Sequence, residues 1–265
     1  MTRRSRTAVL WTLVGFSLLT LAAPTVVILG ASFTEGNIIA FPPEGFSLRW
    51  YARVAASEGL REALLRSLQV SVWCTALSVP VGTLAGLGLA RLPWRPSQAV
   101  QLYLLLPFTV PLIGSGIGLM LLFGEWGVLG SLWPVALACA VVNLPFMIWA
   151  VLAAAAALDP DLEQAAANCG APPLLAFLTV TLPAVTPGVI TGGLVMFVLA
   201  FNEFLVSLLL TDATIVTLPV SVYNSIRSII TPDLAVVSVV YIGVAAAALL
   251  LLDRLVGLEV FLRGR

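Results

Sequence analysis

The sequence predicts an all-α membrane protein with six transmembrane helices and cytoplasmic N- and C-termini. Hydrophobic residues make up 60% of the 265 residues, charged residues only 10%, and the mean hydropathy is +1.07. This composition lies far outside the range of soluble proteins. Apolar stretches long enough to cross a bilayer of about 30 Å recur along the chain. The distribution of arginine around these stretches then predicts their orientation.

Each predicted span is an apolar stretch of about 20 residues or more, the length that a transmembrane helix needs. The first one follows a basic N-terminus and exceeds the apolar core of a signal peptide, about 7–15 residues, so we interpret it as a retained span. The fifth carries Asn202 and Glu203 in its middle. The predicted spans are 8–31, 67–90, 100–123, 132–158, 189–210 and 234–252.

The connections between the spans indicate which end faces the cytoplasm. With six crossings both termini lie on one side, and eight of the 13 basic residues flank spans on that side. The positive-inside rule then places the termini in the cytoplasm. Segment 32–66 becomes periplasmic, and its charges at helical spacing predict short amphipathic helices at the interface or a docking surface for a soluble partner. The eight arginines are Arg3, Arg4, Arg6, Arg91, Arg95, Arg254, Arg263 and Arg265.

The amino-acid composition also limits the chemistry of the chain. All 13 basic residues are Arg, because the sequence contains neither Lys nor His. A Walker A loop needs Lys, and Ser-His-Asp triads and zincin sites need His. We therefore predict no catalytic residue, no metal site and no cofactor in this chain. The absence of a basic stripe argues against nucleic-acid binding, and the three cysteines are best interpreted as small apolar residues.

Glycine pairs four residues apart inside the spans predict close helix packing, either within the bundle or against a partner. They are Gly82 with Gly86, Gly114 with Gly118, and Gly188 with Gly192. Small residues at this spacing let two helix backbones approach closely in a membrane.

A polar hairpin at 159–187 interrupts the apolar pattern on the predicted cytoplasmic side. Asp159 is a typical N-cap, Pro160 suits the first helical position, and Gly170 suits a left-handed residue after the helix end. A second short helix is expected to end before Leu182 and Pro183. The small side chains of Ala165–Ala167 leave a flat face that would fit a cleft in another protein. The alternative is an ordinary, well-capped loop.

Glu203 is the second candidate functional residue. An acid in the middle of a span costs at least about 2.5 kcal/mol if it faces lipid. We therefore expect Glu203 to face the interior of the bundle. It either lines a translocation path together with Asn202 or makes a structural hydrogen bond to Asn202 or a neighbouring span.

The hairpin resembles the signature loop of permease subunits in binding-protein-dependent ABC importers. This signature reads EAA, three residues, Gly, nine residues, then I-x-L-P. Here Gln164-Ala165-Ala166, Gly170, Val180 and Leu182-Pro183 stand at that spacing, with Gln replacing Glu and Val replacing Ile. Segments 41–51, 67–92 and 217–235 resemble the spermidine/putrescine subgroup.

The resemblance implies a type I importer fold, and it implies that the hairpin is a coupling helix that sits in a groove of an ATPase. The adjacent Glu163 would replace the missing family Glu in an ATPase contact. The implied coupling residues are Glu163, Gln164, Ala165, Ala166, Gly170, Ala171, Leu182 and Pro183.

The implied partners are a dimer of ABC ATPases that binds ATP and magnesium, a second permease subunit of the same or different sequence, and a periplasmic or extracellular solute-binding protein. The implied location is the bacterial inner membrane. A polyamine is the favoured substrate, with ferric iron, thiamine or an aminophosphonate as alternatives.

Other classes of membrane protein fit the sequence less well. A secondary transporter would show inverted repeats with interrupted helices in corresponding positions. A membrane enzyme would need a nucleophile and a base, and no GxSxG motif, Lys or His is present. A membrane scaffold without transport function remains as a third alternative.

Overall fold

The computed structural model describes residues 3–91, 100, 103–104, 106, 110–212, 214–228 and 231–256, and within these ranges the regular structure is entirely helical. The helices are α1 Arg3–Ala31, α2 Arg49–Ala56, α3 Glu58–Arg91, α4 Leu112–Glu125, α5 Leu132–Ala156, α6 Asp161–Asn168, α7 Pro173–Ala176, a π-helical turn Phe177–Thr181, α8 Leu182–Phe201, α9 Leu205–Leu210, α10 Leu218–Ser228 and α11 Asp233–Val256.

Four helices in the described part of the chain are long and apolar enough to cross a membrane: Leu10–Ala31, Glu58–Arg91, Leu132–Ala156 and Pro173–Phe201. They overlap the first, second, fourth and fifth predicted spans, although the fifth begins earlier than predicted and ends at Phe201, before Asn202 and Glu203. Shorter apolar helices stand at the positions of the third and sixth spans. Much of the N-terminal half of the third span, within 100–123, lies outside the described residues. The all-α membrane class is thus confirmed, whereas six crossings and cytoplasmic termini stay predictions.

The chain divides into two compact units, and the first contains the N-terminal part through Arg61 together with Ser221–Val244. Helix α1 exposes large apolar side chains along its length, as lipid-facing helices do. After it, the hydroxyl groups of Ser32 and Tyr51 lie 2.7 Å apart. Arg49 Nη2 donates to Asn37 Oδ1 at 2.6 Å. Hydrogen bonds between residues within segment 32–56 therefore hold this segment in a defined conformation.

Helix α2 confirms part of the predicted amphipathic segment. Trp50 is buried, and the guanidinium groups of Arg49 and Arg53 lie 4.7 and 5.4 Å from the centre of its ring. The second amphipathic helix does not form separately. Residues from Glu58 onward are the first turns of the long α3, because no proline or glycine pair interrupts the helical pattern between Glu58 and the span.

The second unit, Glu62–Val220 together with the C-terminal part from Ala245, is built around α5. Met147 of α5 is fully buried. A Cβ added at Gly82 of α3 would lie 2.4 Å from Met147 Cγ, and one at Gly192 of α8 would lie 2.5 Å from Met147 Sδ. Both spans therefore approach α5 at positions where only hydrogen fits.

The other glycine of each pair, Gly86 on α3 and Gly188 on α8, also lies close to α5. A Cβ at Gly86 would lie 2.9 Å from Ile148 O, and one at Gly188 would lie 2.7 Å from Ala150 O. The prediction of close packing is confirmed for these two pairs. Within the described chain, a Cβ added at Gly114 would have its nearest neighbour 3.8 Å away, and one at Gly118 would have none within 4 Å. For this third pair, packing against a partner stays a prediction.

Substituting Gly188 by Ala tests the packing of α8 on α5. The new methyl group would also meet Ala154 Cβ at 2.5 Å. Backbone atoms cannot yield as a flexible side chain does, so we expect a loss of about 1–3 kcal/mol in the free energy of unfolding. Gly118→Ala is the matched control and should be neutral or slightly stabilising, since Ala favours a helix. Thermal unfolding in detergent measures both. Equal melting temperatures for Gly188→Ala and the unsubstituted chain would contradict the packing.

Candidate functional site

The hairpin starts with a helix whose N-terminus is capped as the sequence predicts. Asp159 Oδ1 accepts a hydrogen bond from Asp161 N at 3.0 Å, and Asp159 O accepts one from Leu162 N at 3.2 Å. Asp161 and Glu163 lie in the first turn of α6, where negative charge interacts favourably with the helix dipole. The local sequence therefore stabilises a helix of only eight residues.

The same helix ends in a Schellman motif at Gly170. Gly170 N donates to Ala167 O at 2.9 Å, and Ala171 N donates to Ala166 O at 3.1 Å. Gly170 has a φ of +85°, which residues with a Cβ rarely adopt. The prediction of a left-handed residue at the end of this helix is confirmed.

The second helix of the hairpin does not end before Leu182 and Pro183, and this prediction was wrong. Helix α7 passes through the π-helical turn Phe177–Thr181 directly into α8. Leu182 N donates to Phe177 O, five residues earlier. Pro183 then occupies the first turn of α8, where the preceding π-helical turn accommodates its missing N–H. The hairpin's second arm is therefore the beginning of a transmembrane helix.

The hairpin leaves apolar side chains uncovered. The exposed fractions are 50% for Leu162, 69% for Leu174 and 49% for Leu178. Gln164, Ala165 and Pro183 are exposed too, whereas Ala166, Ala171 and Leu182 are partly covered. Large apolar side chains that the chain itself leaves uncovered indicate a surface that lipid or another protein covers.

Three side chains from distant parts of the chain meet beside this helix. Arg91, the last residue of α3, donates through Nη2 to Glu163 Oε1 and, at 3.0 Å, to Thr181 Oγ1. Thr181 Oγ1 donates to the same Oε1 atom of Glu163. The side chains of Arg91 and Glu163 are 48% and 32% exposed, and Thr181 is buried. We call this closed set of hydrogen bonds the Arg91–Glu163–Thr181 ring.

The ring was not predicted from the sequence. Arg91 entered only the count of charges at span ends, and Thr181 was not singled out. Glu163 was expected to face the ATPase, but the structure gives it two partners within the chain. In the sequence, Arg91 stands at the end of one span and Glu163 in the first turn of the hairpin. Nothing in their spacing predicts that the two side chains pair.

Asn202 and Glu203 interrupt the fifth span. Helix α8 ends at Phe201, and the six-residue α9 begins at Leu205. Glu203 Oε1 accepts a hydrogen bond from Val206 N at 3.0 Å, and Asn202 Nδ2 donates to Val198 O at 3.0 Å. Glu203 thus makes a structural hydrogen bond, but its partner is the backbone of α9 in the same predicted span and not Asn202 or a neighbouring span. Glu203 is half-buried and Asn202 is exposed.

The far end of α9 is fixed as well. Gly130 N, in the turn before α5, donates to Leu210 O at 3.2 Å. Asp212 Oδ1 accepts hydrogen bonds from Thr214 Oγ1 at 2.7 Å and from Ile215 N at 2.9 Å. These donors hold the pKa of the Asp212 carboxyl below its usual value. The interruption at Glu203 therefore joins two helices that are each held in place.

No group of three or more Cys, Asp or Glu residues lies close enough together to hold a metal ion in the ranges that the structure describes. The arrangement supplies instead an exposed helical hairpin, a hydrogen-bonded ring beside it and an interrupted span with one acid.

Sequence comparisons agree with this architecture. The profile of the family described as binding-protein-dependent transport system inner membrane component matches residues 78–258. The spermidine/putrescine transport system permease protein PotC of Haemophilus influenzae is 25% identical over 233 residues, which cover 88% of this chain and 90% of that protein.

Two further relatives carry different substrates in their names. The putrescine transport system permease protein PotI of Escherichia coli is 25% identical over 238 residues, 87% of this chain and 84% of that protein. The molybdenum transport system permease protein ModB of Mycobacterium tuberculosis is 31% identical over 204 residues, 71% of this chain and 76% of that protein. The chain therefore belongs to the binding-protein-dependent transport system inner membrane component family, the permease subunits of ABC importers, and it is a multi-pass protein of the inner membrane.

Proposed function

We propose that this permease forms half of a translocation path for a small solute and that the hairpin 159–187 couples it to a separate ATPase. The observation that carries the proposal is the exposed, doubly capped helix α6 with uncovered leucines around it. A rigid apolar surface of this kind fits a groove in a partner. The partner supplies the energy, because a chain without lysine has no Walker A loop.

The proposed coupling residues have different roles according to where they lie in the hairpin. Gln164 and Ala165 lie on the uncovered side of α6 and would enter the groove. Gly170 and Ala171 fix the turn, and Pro183 lies where the second arm joins α8. Nucleotide-driven closure of the ATPases would push the hairpin, and the covalently attached α5 and α8 would follow.

The proposed topology has six spans, with the hairpin and both termini in the cytoplasm and segment 32–66 outside. The arginine distribution supports this orientation. The proposed assembly contains two ATPase subunits, a second permease subunit and a solute-binding protein on the side of segment 32–66. ATP and magnesium belong to the ATPases.

A polyamine is the favoured substrate. Two of the three relatives above are named for spermidine or putrescine, which are cations, and one is named for molybdenum. Glu203 supports a cation, since an acid in a span would attract a polyamine and repel an oxyanion such as molybdate. Ferric iron, thiamine and an aminophosphonate are the alternatives, and ligand binding by the cognate solute-binding protein distinguishes all of them.

Gly170→Val tests the coupling function of the hairpin. Valine at a φ of +85° is strained, so the Schellman motif should open and the surface around α6 should change shape. We expect transport to fall by about tenfold or more while the subunit still inserts, with less ATPase retained on co-purification. Gly127→Val is the control, because Gly127 also has a positive φ, +67°, and no neighbour within 4 Å but lies outside the hairpin. Unchanged transport and ATPase retention in Gly170→Val would refute the coupling function.

Cys169 provides a native probe of the topology. It is exposed in the hairpin, whereas Cys74 and Cys139 are buried. A membrane-impermeant maleimide should label intact cells negligibly and inside-out vesicles strongly, with Cys169→Ser removing the signal. Bound ATPase should protect the thiol. Labelling of intact cells from outside would overturn the proposed orientation.

Substitutions at Glu203 separate its charge from its hydrogen bond. Glu203→Gln keeps an oxygen for Val206 N but removes the charge, so uptake of a cationic substrate should fall by about fivefold, or about 1 kcal/mol in the barrier. Its melting temperature should stay near that of the unsubstituted chain. Glu203→Leu also removes the oxygen that accepts the hydrogen bond from Val206 N at the start of α9, and it should cost about 0.5–2 kcal/mol of stability. Normal uptake by Glu203→Gln would restrict Glu203 to the structural role.

A further inference from the structure

We propose that the Arg91–Glu163–Thr181 ring is a joint through which movement of the hairpin reaches α3, with Arg91 as its positioning residue. The inference rests on the proposed coupling function of the hairpin and extends it to a third span. Arg91 is separated from Glu163 by 72 residues and from Thr181 by 90, so the contact is purely tertiary.

The connectivity of the chain explains why such a joint is needed. The hairpin continues from α5 at one end and runs through the π-helical turn into α8 at the other. These two spans therefore follow the hairpin through the backbone. Helix α3 has no backbone connection to the hairpin, and the side chain of its last residue makes the link.

The ring holds three elements at one point. Arg91 lies at the C-terminal end of α3, Glu163 in the first turn of α6, and Thr181 at the end of the π-helical turn. A cation at a helix C-terminus and an anion at a helix N-terminus each interact favourably with the local helix dipole. The two helix ends thus face each other with complementary charge.

The ring positions these elements more than it stabilises them. The Arg91 and Glu163 side chains are partly exposed, at 48% and 32%, and ion pairs in such settings add little stability. Thr181 is 1% exposed and has both Arg91 and Glu163 as side-chain partners. Loss of Glu163 would leave the buried Thr181 hydroxyl without its acceptor, and loss of Arg91 would remove its donor, so either change disturbs the start of α8 as well as α3.

Helix α3 can pass this movement further into the membrane. Its Gly82 and Gly86 pack closely on Met147 and Ile148 of α5. With the ring at its end and these contacts about one and a half and two and a half turns deeper, α3 moves together with α5 as one body. The hairpin, α3, α5 and the first turns of α8 would then respond jointly to the ATPase.

A charge exchange tests the joint against the alternative that Glu163 itself contacts the ATPase. The complete complex with its ATPases and solute-binding protein is placed in proteoliposomes, and solute uptake per ATP hydrolysed is measured. Arg91→Glu and Glu163→Arg should each lower this ratio by about fivefold or more, with ATPase still bound. The double variant should recover to within about twofold of the original complex, because the ion pair re-forms in reverse. A double variant as poor as the worse single variant would overturn the joint.

Substitutions at Thr181 supply a milder test should the charge variants fail to insert. Thr181→Val removes the hydroxyl at nearly constant shape, whereas Thr181→Ser keeps it. We expect Thr181→Val to lower uptake per ATP and Thr181→Ser to preserve it, with equal expression. Equal ratios for the two variants would count against the joint.

The results also separate this inference from the proposed function. If Gly170→Val leaves transport and ATPase retention unchanged, the hairpin is not the coupling surface and both proposals fail. If Gly170→Val uncouples transport but the charge exchange gives no recovery, the coupling function stands and the joint is refuted. Loss of bound ATPase in both Arg91→Gln and Glu163→Gln would likewise refute it, because the pair would then act in docking.

Discussion

The close approach of two helices to α5 is the constraint on which the second unit depends. Met147 lies between Gly82 of α3 and Gly192 of α8, and a side chain at either glycine would overlap it. In a membrane, lipid is as apolar as a leucine side chain, so helices associate through close packing and not through the hydrophobic effect. The glycines make that packing dense enough to hold three spans together.

This packing also limits how the spans can move. Helices in backbone contact cannot bend past each other continuously, because packed cores shift between discrete arrangements. Regular α-helical hydrogen bonding is interrupted along this segment at the π-helical turn Phe177–Thr181 and at the break Asn202–Phe204. Both lie on the path from the hairpin along α8, one at each end of that helix. We therefore expect a displacement of the hairpin to change direction at these two interruptions.

Local physics explains what the sequence predicted correctly. Asp159 and Gly170 act through atoms a few residues away, so residue type and spacing suffice to assign their roles. The spans follow from hydropathy over about 20 residues. The continuous helix through Pro183 was missed because a proline normally ends a helix, and only the preceding π-helical turn makes it compatible here.

Tertiary contacts explain what the sequence could not predict. The partners of Glu163 stand 72 residues before it and 18 residues after it, and nothing in their local patterns selects them from the other polar residues. The same holds for the glycine pairs: identical spacing packs at Gly188 and Gly192, whereas Gly114 and Gly118 have no such close contact with the part of the chain that the structure describes. Spacing indicates that a close approach is allowed, and the fold decides where it occurs.

The rigidity of the hairpin bears on how it would transmit force. Its first helix is capped at the N-terminus by Asp159, closed at the C-terminus by Gly170 and tied to α3 through Glu163. An eight-residue helix would be marginal in isolation, so these three attachments keep it folded before any partner arrives. Docking then carries little ordering cost. A surface that is ordered before docking also passes a displacement on to the spans. A flexible loop would instead absorb the displacement through changes in its own backbone torsion angles.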